Sequence, residues 1–410
     1  MNSGNERRGL TTCTSLMSLV AFAITANLLA AVGKQMGEQF GMREAVFVQW
    51  AYPVQFFSFS AMCFLGGTAS DRIGKRNSLL GACVLITIGC LVMLLAPKFW
   101  VVCIAALIVG MGGGGIESIS AAGLTDLHPT KSKLFMNLAQ IFYCIGANSA
   151  SVAAGILIGR GISWRWLYFG TCILGAALVL CFAFSKFPYK ASESAADTNG
   201  GVRRVLELLP NIWLPSLGLF LYVFAETSIY AFGPNYLKQL GATDKISTLS
   251  IAAFWSAVAI GRLLCSFLPQ KQTYETAICG MMTTAGILLI GQVLAQNWQS
   301  AIVLMTLAGL ACAGAWPMVV SMVTVRNIKY SGTASGFTIG CGAVGCILSP
   351  MVLGKIFDTG RTRLAYCLLG ASFLLSSLCI ALTYFQHKRR MAREGQGVDL
   401  EPRMDTNEHE

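Results

Sequence analysis

Glu117 stands behind a run of glycines in "GMGGGGIESISAAG", residues 110–123, inside an otherwise apolar segment. Burial favours the neutral form of a carboxyl, so such a group can hold a proton when occluded and exchange it when a wet vestibule opens. A purely structural hydrogen bond is the competing account. At about 100° per residue, Gly110, Gly113 and Ser120 fall on the side of Glu117. That nearly bare face lets either another helix pack close or a solute reach the acid. No Lys-Ser/Thr follows the glycines, which excludes a phosphate loop. A second polar stripe runs through Asn137, Gln140, Asn148 and Ser151 on one helical face. Amides facing lipid cost several kcal/mol each when unpaired, so these should face a bundle interior or a wet cavity, as helix–helix glue or as ligand contacts. A third stripe has Tyr222, Glu226 and Tyr230 at i, i+4 and i+8, followed by Gly233-Pro234, which should break or kink the helix. With Trp255 and Trp316 on nearby segments, this chemistry suits a sugar: flat rings meet C–H faces while acids and amides take paired hydroxyls. Either tryptophan alone is also consistent with core or interface packing.

The elements that must carry these groups are membrane helices. The 410-residue chain is 55% hydrophobic and only 12% charged, with a mean hydropathy of +0.62. Apolar stretches of about 20 residues, the length that crosses a bilayer, recur near 12–33, 46–66, 78–96, 100–124, 134–159, 163–185, 211–237, 246–268, 273–295, 299–324, 331–356 and 363–385. The expected fold is all-α, twelve transmembrane helices in two six-helix bundles, 12–185 and 211–385. A cytoplasmic N-terminus covers 1–11, a cytoplasmic linker 186–210 and a cytoplasmic tail 386–410. The linker reads as polar, rich in small residues and charged at both ends, with a short interfacial helix at 202–209. With both termini inside, twenty of the 30 Lys and Arg residues fall on the cytoplasmic side, Arg262 among them, and ten outside. This bias orients the chain in a cell membrane, and it makes anionic lipid rather than nucleic acid the partner of the +11 net charge.

The 15 cysteines lie in or at the ends of apolar spans without a CxxC pair, and read as small buried packers. His128, His387 and His409 form no ligand cluster, so neither a metal nor a cofactor is expected. Sliding the chain by 199 residues superposes six glycine pairs, among them Gly110 on Gly309 and Gly115 on Gly314, the mark of a parallel repeat. The same offset pairs Asn27 with Glu226 and Glu117 with Trp316.

"GGTASDRIGKR", residues 66–76, contains Gly67, Asp71, Arg72, Gly74, Lys75 and Arg76 at the inner end of the second span. Gly67 admits a neighbouring helix, Asp71 can cap or pair with a helix end, and the basic cluster can anchor the loop at anionic lipid. The second half keeps only Gly261 and Arg262 at the equivalent place. This string resembles the signature between spans two and three of the major facilitator superfamily. Residues 110–150, through the "NLAQ" of 137–140, resemble spans four and five of its fucose:proton symporter branch. "FLYVFAETSIYAFGPNYL" with "FWSAVAIGRLL" resembles spans seven and eight, and "AWPMVVSM" with "SGFTIGCGAVGCILSPMVLGKIFD" spans ten and eleven. The resemblance implies that Glu117 matches a protonatable glutamate and that Asn137 and Gln140 lie on a polar binding helix. Where that branch has an aspartate in the first span, this chain has Ala30, with Asn27 nearby. The expectation is a monomeric secondary transporter of a small polar solute, a monosaccharide, working by alternating access and coupled to protons through Glu117 and Glu226. The solute site would comprise Asn27, Asn137, Gln140, Glu226, Tyr230, Trp255 and Trp316. An efflux transporter of amphipathic compounds and a solute-sensing receptor are the alternatives. An enzyme is not expected, because no catalytic constellation accompanies the glutamates.

Overall fold

The computed structural model describes residues 2–42, 44–185, 187, 200–267 and 273–393. Helices follow one another in the order α1 (Asn2–Ala31), α2 (Gly33–Gln39), α3 (Glu44–Ile73), α4 (Lys75–Leu95), α5 (Phe99–Leu127), α6 (Ser132–Gly159) and α7 (Arg165–Phe184). The second half holds α8 (Gly200–Gln239), α9 (Asp244–Ser266), α10 (Tyr274–Gly291), α11 (Trp298–Cys312), α12 (Ala315–Arg326), α13 (Ser331–Asp358) and α14 (Thr362–Arg393). Eleven described stretches are long and apolar enough to cross a membrane, and α3, with 30 residues packed in the same bundle, supplies the twelfth. The all-α expectation holds.

Each half buries its own core. Leu29, Phe47, Ile86 and Phe182 belong to the N-terminal core, Tyr222, Phe254, Met305 and Phe373 to the C-terminal one. Many large apolar residues remain exposed, Phe57, Leu180 and Leu294 among them, as a lipid-facing surface requires. Exposed Trp50, Trp100 and Trp166 lie near the first turns of α3, α5 and α7, which start at one membrane boundary, where amphipathic rings collect. The opposite boundary, called the inner face below, carries both described ends of the chain. There an Arg8 guanidinium donates to the Leu127 carbonyl and Arg390 Nη1 to Asn211 Oδ1.

Three local outcomes depart from the sequence expectations. Gly233-Pro234 does not end its helix, since α8 runs unbroken to Gln239 with Pro210, Pro215 and Pro234 inside it. Membrane helices tolerate proline because neighbouring groups satisfy the freed carbonyls. Residues 202–209 are helical but continuous with the span rather than a separate interfacial helix; residues 188–199 of the linker and the tail from 394 lie outside the described residues. The tenth span is two helices, interrupted at Ala313-Gly314. Pro317 is the cause: it has no N–H for the carbonyl four residues back, that of Ala313, and its ring crowds that position.

Candidate functional site

The glycine run closes onto its neighbours instead of opening to solute. A Cβ on Gly110 would strike the Gln55 carbonyl and Ser58, one on Gly113 the Phe22 ring, and one on Gly114 the backbone of Phe59. Ser120 meets Ser18 at 3.4 Å. Of the two uses open to the bare face, helix packing is the one observed, and it seats α5 deep between α1, α3 and α4. Glu117 is thereby held in the interior, 5% exposed.

Glu117 Oε1 accepts a hydrogen bond from Gln140 Nε2 on α6 at 2.9 Å, whereas Oε2 has no partner among the described residues. One turn earlier, Asn137 is fully buried. Its Nδ2 donates to the Lys133 carbonyl at 2.8 Å, and its Oδ1 is likewise unpartnered. Asn148, farther along the stripe, is exposed, and the Ser151 side chain lies outside the described ones. Asn27 donates to the Ala23 carbonyl at 2.8 Å and bonds the Tyr143 hydroxyl. Tyr143 stands three residues beyond Gln140 on the same face of α6, within electrostatic reach of Glu117 and Tyr52. Phe22 lies 5.6 Å from the Tyr143 ring and stacks on Phe59 at 5.2 Å.

On the other bundle, Tyr222 donates to Glu226 Oε1 at 2.6 Å, an i, i+4 pair on α8. Trp255 and Trp316 are half-buried and pack on the C-terminal core, Trp255 edge-on to Phe254. Trp316 follows the break in the tenth span directly. The backbone of Tyr230 continues α8, and its side chain lies outside the described ones.

Arg262 requires a correction. The positive-inside count assigned it to the cytoplasmic side as the remnant of a decayed motif, but it is 4% exposed and sits between the bundles. Its Nε donates to the Ala313 carbonyl at 3.4 Å, the acceptor that Pro317 leaves without a helical donor. Its Nη1 reaches across to α6, to the Gln140 carbonyl at 3.5 Å and Cys144 Sγ at 3.0 Å. Its charge acts on both Glu117 and Glu226, although among the described residues no ion pair joins it to either. A long cation unopposed in an apolar helix was the available signal; the motif alignment hid it by offering a loop role. Tyr143 was also missed, though its i+3 spacing from Gln140 was legible.

At the inner face the motif of residues 66–76 locks the two halves together. Asp71 accepts from the Gly332 and Thr333 N–H groups at 3.0 and 2.8 Å and from the Thr333 hydroxyl at 2.7 Å, capping the start of α13. A Cβ on Gly67 would collide with the Gly332 carbonyl. Gly74, at φ +86°, forms the one-residue connection from α3 to α4 that an L side chain rarely allows. Lys75 pairs with Asp126 at 2.6 Å and donates to Ser331 at 3.0 Å. Arg76 donates to the Phe182 and Ala183 carbonyls at the end of α7. These cations bind helix ends rather than anchoring the loop at lipid. Ser132–Ser321, Tyr274–Ser321 at 3.0 Å and Lys133 over the Tyr274 ring at 4.6 Å complete the closure.

The sequence and the fold both match known proteins. The family model of the Major Facilitator Superfamily matches residues 14–293 and 216–403. A gentisate transporter of Corynebacterium glutamicum is 22% identical over 345 residues, covering 80% of this chain and 77% of that protein. The fold superposes on the Escherichia coli fucose:proton symporter FucP with TM-score 0.78 at 15% identity, over 91% of this chain and 98% of that one. The proton:xylose symporter XylE gives 0.76 at 15% identity, over 91% and 95%.

Proposed function

The chain belongs to the Major Facilitator Superfamily, and on that premise we propose that it is a secondary transporter of a small polar solute, with a monosaccharide as cargo and proton coupling through Glu117. Its relatives and its fold are those of transporters. One observation carries the coupling role: a buried carboxylate with one oxygen held by Gln140 and the other unpartnered, facing the field of a cation from the opposite bundle. An acid so placed gains most from a proton or a solute hydroxyl, and its state alters the attraction that holds the bundles together. Closure at the inner face supports an outward-facing arrangement, the inner face being cytoplasmic by the charge bias. Glu226, braced by Tyr222, shares the coupling in place of the absent first-span acid. Asn27, Asn137, Gln140, Tyr230, Trp255 and Trp316 complete the solute site.

A second cargo class, an organic acid, is favoured by Arg262, whose Nη2 donates to no described residue and whose fork suits a carboxylate. Uptake of labelled sugars and organic acids into proteoliposomes, with and without an inward proton gradient, separates the readings. Uptake of sugars driven by the gradient is expected. Glu117→Gln should cut gradient-driven uptake by about 10- to 100-fold, the worth of one hydrogen bond to a charged group, while leaving solute counterflow. Retention of gradient dependence in that variant excludes the coupling role, and binding without counterflow identifies a receptor instead.

A further inference from the structure

The C-terminal bundle has a cavity of about 600 Å³ at the inner face, away from the two glutamates, between the start of α8, the end of α12 and the end of α14. That volume suits a small organic ligand. Its walls carry Arg326, Lys329, Arg390 and His387 against one carboxylate, Glu207. Glu207 is engaged by Arg203 at 3.1 Å, and Arg326 is held in place by Glu275 at 2.6 Å. Lys329 makes no ion pair among the described residues; it lies over the Tyr330 ring at 5.2 Å, with Arg204 at the same distance from that ring. The floor is apolar, built on Leu208 and Val323, which belong to a small cluster separate from both bundle cores.

We propose that this cavity binds a phosphate ester at the inner membrane boundary and thereby stabilises the closed inner gate. Two guanidinium groups, one paired with Glu275 and one bonded to Asn211, and an ammonium set positive charge around one concavity, which suits phosphate oxygens, and the apolar floor matches the carbon skeleton that a phosphate ester carries. Two sources share this chemistry, the headgroup of an anionic phospholipid and a soluble cytoplasmic phosphate ester. The link to the gate is covalent and short. The wall residues Ile328, Lys329 and Tyr330 form a single turn leading straight into α13, whose Gly332 and Thr333 amides hold Asp71 and whose Ser331 takes Lys75. A ligand fixing that turn therefore fixes the groups that receive the N-terminal bundle.

The test uses the full chain in nanodiscs of phosphatidylcholine. In one arm inositol hexakisphosphate is added; in the other, phosphatidylglycerol replaces part of the phosphatidylcholine. A saturable rise in Tm with the soluble probe assigns a soluble ester, and a rise only with phosphatidylglycerol assigns a headgroup; either supports the site. In the double variant Lys329→Gln, Arg390→Gln the midpoint should move about tenfold or more. Should that variant fail to fold, Arg390→Gln alone, at an exposed position, is read the same way. Hydrogen exchange across 328–336 should slow with the effective probe in wild type and not in the variant. No Tm response to either probe, an undiminished response in the variants, or binding without slower exchange across 328–336 would overturn the proposal.

Discussion

The inner gate and the mid-membrane site both set carboxylates and cations between the same two bundles, yet they treat polar atoms differently. At the gate, Asp71 receives three hydrogen bonds and Lys75 has both an acid and a hydroxyl. At the site, Glu117 Oε2 and Asn137 Oδ1 have no partner among the described residues, and Arg262 leans on carbonyls and a thiol while its charge spreads over two acids. An unmet buried group costs about 1–3 kcal/mol. Arg72 Nε is the exception at the gate, buried without a partner among the described residues; a fold that satisfies Asp71 and Lys75 but leaves Glu117 Oε2 and Asn137 Oδ1 unmet is arranged to close at the first place and to exchange partners at the second.

The sharpest way to break this contrast is at Arg262. Arg262→Met removes the guanidinium bonds to α6 and leaves the Ala313 carbonyl without its donor, and should cost about 3–5 kcal/mol, from about 1.5–3 for a charged hydrogen bond and about 1–3 for the stranded carbonyl; thermal unfolding of the purified variant reads it. A change near zero would make Arg262 a packing residue. Next, Asp71→Asn keeps the shape but replaces an acceptor of charged hydrogen bonds, and should weaken the gate by about 1.5–3 kcal/mol. Faster hydrogen exchange across residues 331–336, with the mid-membrane site unaffected, is the expected sign. Gly67→Ala should push α3 from α13 at a cost of about 1–3 kcal/mol of overpacking, read as lower Tm and slower transport with solute affinity retained.

The smallest effect belongs to His128, in the turn after α5. Burial, with Arg8 and Lys131 nearby, lowers its pKa below the ordinary value, while Thr12 meets its Nε2 at 2.8 Å and Phe135 stacks on its ring. A lowered folded value means the neutral ring is the stable one. Its contribution is fully present above about pH 6.5 and is lost as pH falls through the folded value. The Tm of His128→Gln should therefore decline less than that of wild type on acidification, and parallel declines would show that His128 carries no linkage.

Much of the site was legible because its chemistry is costly in its setting. Glu117, Gln140 and Asn137 stood out as polar groups that lipid would penalise, and Tyr222–Glu226 was visible as an i, i+4 pair. Arg262 was hidden because one residue near a helix end can equally face water or fold back between helices, and only the packing of α9 on α6 decides. The purpose of the glycines was ambiguous for a similar reason: a bare face invites a helix or a solute alike.

The sequence by itself determined the membrane spans, their number and their division into two apolar bundles, because bilayer thickness and backbone hydrogen bonding leave a long apolar segment almost no other structure. It also determined which residues were expensive to bury. The tertiary structure alone decided who answers them: the Ala313 carbonyl released by Pro317 became the seat of Arg262, and the amides opening α13 became the partner of Asp71. Those pairings join residues far apart along the chain, and no local periodicity encodes the relative placement of two bundles.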